Sequence, residues 1–348
     1  MTFSDSINAL DSACARKIES VLAVLTPGEV RDFFPDLLWE QLKQLSGDFR
    51  WVNSQDMSEE AFHRELALIN PEVLIACWKT PLLPAVLPKR LRYVCHLTGS
   101  VKHIVSRHHI EQGLRVTNWG GSISRVVAEG ALLHILCCLR RVPAWCLAMH
   151  KEGAWKNGDT ETASLFDRKV GLHGFGLVAR ELVKLIRPFG VEINVFAPDV
   201  TPAIERDWGV RNTATLDGLF AENDVIVELA PFIPETTRII DERRLRLLRP
   251  GSVFVNVARG GVVDETALVR VAREGRVQFG LDVFEVEPLA SDHPLRGLLN
   301  VSLTPHLAGP TNDRRRDAGA WALRNLSAYA NGQPLSALMT PHNYDQKT

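Results

Sequence analysis

The sequence has almost no net charge. It carries 40 Lys and Arg against 41 Asp and Glu, a formal net charge of −1. No bulk positive field is therefore present to hold nucleic acid or an anionic membrane. Long apolar runs are missing as well. The longest, around 131–139 and 225–231, fall far short of the ~18 residues that a bilayer-spanning helix needs. The first twenty residues mix Asp, Arg, Lys and Glu without an apolar stretch, so no secretory leader is expected. Cysteine is scarce: Cys14, Cys77, Cys95, Cys137, Cys138 and Cys146 contain no C-x-x-C pair. That argues against a disulfide framework and a zinc site, and the thiols are expected to be reduced and mostly buried. His108-His109 has no neighbours that would complete a ligand set, so no metal is expected. Repeats and low-complexity tracts are absent. What remains is a soluble, cytoplasmic chain of 348 residues, 45% apolar and 23% charged, long enough for about two domains.

Short β-rich runs alternate with helical patterns, which predicts α/β architecture with parallel sheets. In the first third, strands are expected at 21–25, 49–52, 73–76, 92–96 and 115–117, with helices at 37–45, 59–69 and 83–87. A nearly all-round apolar helix is expected over 126–139, buried on most sides, followed by an exposed polar connection over 151–162. A second series follows, with strands at 170–173, 192–196, 225–229, 252–257, 278–283 and 301–303 and helices at 178–186, 216–221, 242–247 and 265–274. The last helix should span 312–330 and stop at Asn331-Gly332, leaving a frayed polar tail after Pro341.

Val170-Gly171-Leu172-His173-Gly174-Phe175-Gly176-Leu177-Val178-Ala179 reads as strand, tight turn and helix. Gly174, Gly176 and Ala179 fill the small-residue places of G-x-G-x-x-G/A. The first permits the turn, the second lets backbone N–H groups approach a pyrophosphate, and the third allows close helix–strand packing beside a positive helix N-terminus. The acid expected about 20 residues on, to hold ribose hydroxyls, is displaced. Ala197 stands at that place and Asp199 follows two residues later. No Arg or Lys lies between Val191 and Glu205 to clamp a 2′-phosphate, so NAD is favoured over NADP.

Three further segments end strands: Val257-Ala258-Arg259-Gly260-Gly261, Asp282-Val283-Phe284-Glu285-Val286-Glu287-Pro288, and Thr304-Pro305-His306-Leu307-Ala308-Gly309. Ligands of open α/β sheets bind beyond the carboxyl ends of the strands, where an Arg, a Glu and a His gather here. Together with Gly113-Leu114-Arg115-Val116-Thr117-Asn118, Val127-Ala128-Glu129 and Pro231-Phe232-Ile233-Pro234-Glu235-Thr236, these segments resemble the D-isomer-specific 2-hydroxyacid dehydrogenase family over about 73–334. The resemblance implies a Rossmann-type dinucleotide-binding domain at 125–306, inserted into a flavodoxin-like substrate domain built from 1–124 and 307–348, the two crossings forming a hinge. It implies NAD(H)-dependent interconversion of a 2-oxo acid and a D-2-hydroxy acid. Arg259 would clamp the substrate carboxylate bidentately, His306 would serve as general acid/base, and Glu287 would orient His306 and favour its protonated form.

The same resemblance assigns the dinucleotide to Gly174, Phe175, Gly176, Leu177, Val178, Pro198, Asp199, Ala230, Pro231, Thr236, Val257, Ala258, Arg259, Asp282, His306 and Gly309, with Asp282 meeting the nicotinamide carboxamide. Substrate would be met by Trp78, Lys79, Gly99, Ser100 and Val101 together with Arg259 and His306. The sequence departs from the family in its substrate loop, Gly99-Ser100-Val101-Lys102-His103, and at Glu228. Trp78 and Trp119 either line the cleft or cap the first domain. Residues 126–162 resemble a dimerisation arm, which implies a homodimer, with Trp155 as the residue reaching the neighbour's site. Two rival readings share the fold: an NADPH-preferring glyoxylate/hydroxypyruvate-type reductase, and a non-enzymatic, NAD(P)-sensing corepressor-like protein.

Overall fold

A computed structural model describes residues 16–158 and 160–346; Cys14 lies outside them. The chain opens with β1 (Ile18–Val24), α1 (Pro27–Phe33), α2 (Asp36–Gln44), β2 (Ser46–Val52), α3 (Glu59–Ile69), β3 (Val73–Ala76), β4 (Tyr93–His96), α4 (Arg107–Glu111) and β5 (Arg115–Thr117). It continues through α5 (Ser124–Leu139), α6 (Val142–Leu147), β6 (Lys169–His173), α7 (Leu177–Ile186), β7 (Glu192–Phe196), α8 (Pro202–Trp208), β8 (Arg211–Asn212), α9 (Leu216–Glu222) and β9 (Val225–Glu228). Then come α10 (Glu242–Leu247), β10 (Val253–Asn256), α11 (Glu265–Arg273), β11 (Gln278–Leu281), β12 (Val301–Leu303), α12 (Arg315–Ala330) and α13 (Pro341–Gln346).

Contacts divide the chain into two units: Met1–Ile123 with Asn312–Thr348, and Ser124–Thr311. The first holds a five-stranded sheet in the order β2-β1-β3-β4-β5. Its strands pair in parallel, and Leu22, Val24, Leu74, Ala76, Val94 and Val116 carry one of its cores. The second holds a seven-stranded parallel sheet, β12-β11-β10-β9-β6-β7-β8. α5 and α7 pack on one core of this sheet, while residues of α9, α10 and α11 build another. The order reverses between β6 and β9, the switch point at which such sheets bind ligands.

Local chemistry explains where several helices begin. Thr26 and Glu29 cap α1 reciprocally, with Glu29 N–H donating to Thr26 Oγ1 at 3.1 Å and Thr26 N–H to Glu29 Oε2 at 2.7 Å. Ser58, Thr215, Asp241 and Asp264 each accept from a first-turn N–H of α3, α9, α10 and α11.

The structure corrects several expectations. No helix forms at 83–87: Pro84 and Pro88 remove two N–H donors, and Leu83 N–H instead donates to Ile104 O at 2.9 Å. The elements α1, α4, α6, α8 and β8 are short, and α1, α6 and α8 each carry a Pro in the first turn, so none has a long apolar period to betray it. The tail is helical after Pro341 because Tyr344 anchors it, donating from its hydroxyl to Val105 O at 2.9 Å. The second crossing falls at 311/312 rather than 306/307. Leu307 and Ala308 N–H groups donate to the Asp282 carboxylate at 2.7 and 2.9 Å, which binds that loop to the second unit. The first crossing falls at 123/124 because Ser124 begins α5. α5 is not buried all round, since Leu133 is 55% exposed. Cys77, Cys95 and Cys138 are buried free thiols, but Cys146 is exposed on α6, a helix with no buried residue. Burial lifts the Cys95 thiol to about 11.

Candidate active site

At the switch point, β6 ends in Gly174, whose φ of +92° is a left-handed conformation that glycine adopts freely. A Cβ on Gly174 would come within 2.9 Å of Ala230 N, so the turn lies flush against the end of β9. Gly176 is the opposite case: a Cβ there would meet nothing within 4 Å. Space is open over the N-terminus of α7, and no side chain caps that helix. Ala179 is 0% exposed, at the close helix–strand contact. This open, uncapped helix start fits a dinucleotide pyrophosphate.

Other candidate dinucleotide residues divide by their surroundings. Pro198, Asp199 and Pro231 are exposed. Ala230, Val257 and Phe175 are buried at 4%, 6% and 2%, so a ligand can meet little of them beyond backbone. The Phe175 ring packs edge-on to Trp208, 6.0 Å between centroids, beneath the Arg180 guanidinium. Its side chain is a core residue, which leaves its backbone as the part that faces the turn. The Thr236 hydroxyl closes the 231–236 turn by donating to Pro231 O at 2.5 Å. Asp282 is 0% exposed. Its carboxylate accepts from Thr304 Oγ1 at 2.6 Å and from the Leu307 and Ala308 N–H groups. It is an anchor for the loop after β12, with three acceptor positions already filled.

The Arg, Glu and His are brought to neighbouring strand ends of one sheet, after β10, β11 and β12. His306 sits on the Asp282-anchored loop with φ +55° and donates its own N–H to Asp282 O at 2.9 Å. Its Nδ1 is 2.7 Å from Glu287 Oε2. The other Glu287 oxygen accepts from Phe284 N–H at 3.0 Å, which fixes the carboxylate. Glu285, two residues earlier, instead pairs with Arg238. Gly260 explains how the Arg259 loop comes so near: a Cβ there would overlap the Phe284 carbonyl carbon at 1.9 Å. Burial weakens the charged form of Arg259, and the Glu287 carboxylate acts against this to sustain it. The His–Glu pair can hold and release a proton, and the guanidinium can receive a carboxylate.

In the first unit, Gly99 packs against Trp119, whose ring would lie 3.0 Å from an added Cβ. Trp78 meets Trp119 edge-on at 6.4 Å and carries the Arg315 guanidinium at 5.1 Å. Both tryptophans thus belong to a packed aromatic group on this unit. Lys79 is exposed, and the Val101 side chain is 3% exposed, in the core. Lys102 lies over the Tyr344 ring at 5.6 Å. Among the described residues no cluster of His, Cys, Asp and Glu could hold a metal ion. A cavity of about 530 Å³ lies at the other end of the second sheet, lined by Arg141, Arg168, Asp224 and Arg249.

Two buried pairings were not foreseen from the sequence, although Glu228 stood out there as a departure. His173 and Glu228 face one another across β6 and β9, with His173 Nδ1 2.5 Å from Glu228 Oε2 and Ala230 N–H donating to Glu228 Oε1 at 2.7 Å. Strand order with register would have paired them. His134 on α5 lies 2.8 Å from Thr304 Oγ1; nothing local signals that contact.

Comparison with known proteins agrees with this fold. A family model described as the NAD binding domain of D-isomer specific 2-hydroxyacid dehydrogenases matches residues 132–308. A hydroxypyruvate reductase from Thermotoga maritima is 33% identical over 269 residues, 75% of this chain and 86% of that protein. A D-3-phosphoglycerate dehydrogenase from Mycobacterium tuberculosis is 36% identical over 282 residues, 78% of this chain, which spans about half (51%) of that relative's length. The solved glyoxylate reductase from Paecilomyes thermophila superposes with a TM-score of 0.79 at 25% identity, covering 92% of this chain and 98% of that one.

Proposed function

The chain belongs to the D-isomer specific 2-hydroxyacid dehydrogenase family, and we propose that it interconverts a 2-oxo acid and a D-2-hydroxy acid with NAD(H). The observation that carries the reading is the 2.7 Å His306–Glu287 pair on strand ends beside Arg259. When bound, the nicotinamide supplies or receives the hydride at C2. Arg259 holds the substrate carboxylate through two parallel N–H donors and so aims the C2 oxygen at His306. In reduction His306 donates its proton to that oxygen, and in oxidation it takes the proton back. Glu287 orients the ring and balances the imidazolium charge. Gly174, Gly176 and the first turn of α7 hold the pyrophosphate.

NAD is favoured over NADP because Asp199 would repel a 2′-phosphate and no cation lies between Val191 and Glu205. The test is NADH and NADPH oxidation by purified protein with glyoxylate, hydroxypyruvate, pyruvate and bulkier 2-oxo acids. Turnover of at least one acid is expected, with tighter NADH than NADPH binding. Binding of NADH without turnover of any of them would favour a sensing role instead, and tighter NADPH binding would reverse the cofactor assignment.

The protein is further read as a homodimer. Leu133 on α5, Leu147 on α6 and Met149 beyond it are 55%, 40% and 48% exposed, apolar surface of the kind that a second copy would cover. Trp155, 73% exposed, is the arm residue assigned by this reading to the partner's site. Light scattering should give twice the chain mass for the wild type and a shift toward single chains in Leu133→Asp. A wild-type monomer would sink this reading.

A further inference from the structure

The Thr304 hydroxyl has one proton, and its 2.6 Å contact with Asp282 Oδ1 uses it. It must therefore accept from His134 Nε2 at 2.8 Å, which makes His134 the Nε2–H tautomer. The opposite nitrogen, Nδ1, is buried without a partner. Burial holds this imidazole below the usual histidine range, with the Asp282 charge pulling the other way. The ring reaches the loop because β11 has glycine beneath it: a Cβ on Gly280 would stand 2.8 Å from His134 Cβ. A leucine would fill the same space without an orphaned acceptor, so packing alone gives no reason for a histidine here. What the histidine adds is a donor that fixes the Thr304 hydroxyl. That hydroxyl and the Leu307 and Ala308 N–H groups in turn fix Asp282. His306 lies between them in sequence and is held at φ +55°.

We infer that His134 is a positioning residue for the acid–base histidine, acting from α5 through Thr304 and Asp282 on the loop that carries His306. This rests on the proposed acid–base role of His306. The polar contact of His134 is with the Thr304 hydroxyl, so its influence runs through that group. Its loss loosens the aim of the His306 ring and leaves the pyrophosphate turn alone.

The test compares full-length wild type with His134→Leu, His134→Gln, Thr304→Val, His306→Ala and the His134→Leu/His306→Ala double variant. kcat is measured at saturating NADH with the best 2-oxo acid, and NADH Kd by fluorescence titration. His134→Leu and Thr304→Val should each lower kcat about 10-fold with NADH Kd unchanged within about 2-fold. His134→Gln, whose amide N–H can reach the same hydroxyl, should recover most of the rate. In the His306→Ala background His134→Leu should have no further effect, because the two act as one unit. An unchanged kcat in His134→Leu and Thr304→Val, an equal fall with His306 absent, or a Kd increase matching the fall in kcat would each overturn the inference. If His134→Leu does not fold, Thr304→Val and His134→Gln carry the same comparison. A His306→Ala rate equal to wild type would overturn the acid–base reading itself and is seen in the single variant alone.

Discussion

Replacing His306 with Ala should lower kcat for 2-oxo acid reduction by about 10²- to 10⁴-fold while leaving NADH affinity nearly unchanged. The argument is geometric. His306 Nδ1 is committed to Glu287 at 2.7 Å, so the opposite nitrogen is the one available to substrate oxygen. Glu287 is itself fixed by Phe284 N–H, and the loop beneath is fixed by Asp282. A proton donor held in this way contributes through its aim as well as its acidity. The pyrophosphate turn at Gly174 belongs to a different strand end, so that main anchor of the dinucleotide has no reason to follow the loss. Steady-state rates and NADH titration on the same preparation separate the two effects. A His306→Ala rate within about 3-fold of wild type would remove general acid–base catalysis by this residue.

Much of this arrangement was legible in the sequence because it repeats along the chain. The strands β6, β9, β10, β11 and β12 are largely apolar runs, and the segments with Gly174, Arg259, Glu287 and His306 all follow the ends of such runs. A parallel sheet brings those ends to one edge whatever the loops between do. The pattern could not reach pairs set by register or by packing across layers. His173 and Glu228 lie 55 residues apart, and His134 and Thr304 lie 170 apart. None of these residues has a local partner that periodicity could reveal, because each contact is set by strand register or by packing between layers. The loop-anchoring role of Asp282 was also hidden: its motif position pointed to the cofactor, and the hydrogen bonds of its buried carboxylate to the loop after β12 are set only by the fold. Short elements such as α8 and β8 left no period to read.

The buried pair at the switch point carries the largest expected effect on stability. His173 and Glu228 have side chains only 5% and 0% exposed. Removing one partner of a buried, hydrogen-bonded couple that includes a carboxylate costs about 3 kcal/mol or more, because the other is left without compensation. His173→Leu strands the Glu228 carboxylate, which keeps only the Ala230 N–H as donor. For a unit of this size each kcal/mol moves Tm by roughly 2–4 °C, so a fall on the order of 10 °C is expected. Glu228→Gln should be milder, since the amide oxygen still accepts from Ala230 and the amide N–H can face the ring. The double variant His173→Ile/Glu228→Leu should regain most of the loss, because two apolar residues of similar volume need no partner. Thermal unfolding of the four proteins decides the matter. If His173→Leu and the double variant lose stability equally, the pair acts by shape alone. If His173→Leu loses nothing, the carboxylate is not held by the imidazole. The pair also ties the Gly174 turn to the Ala230 backbone, the two edges of the proposed pyrophosphate site. His173→Leu should therefore raise NADH Kd along with the fall in Tm, whereas His306→Ala should change neither.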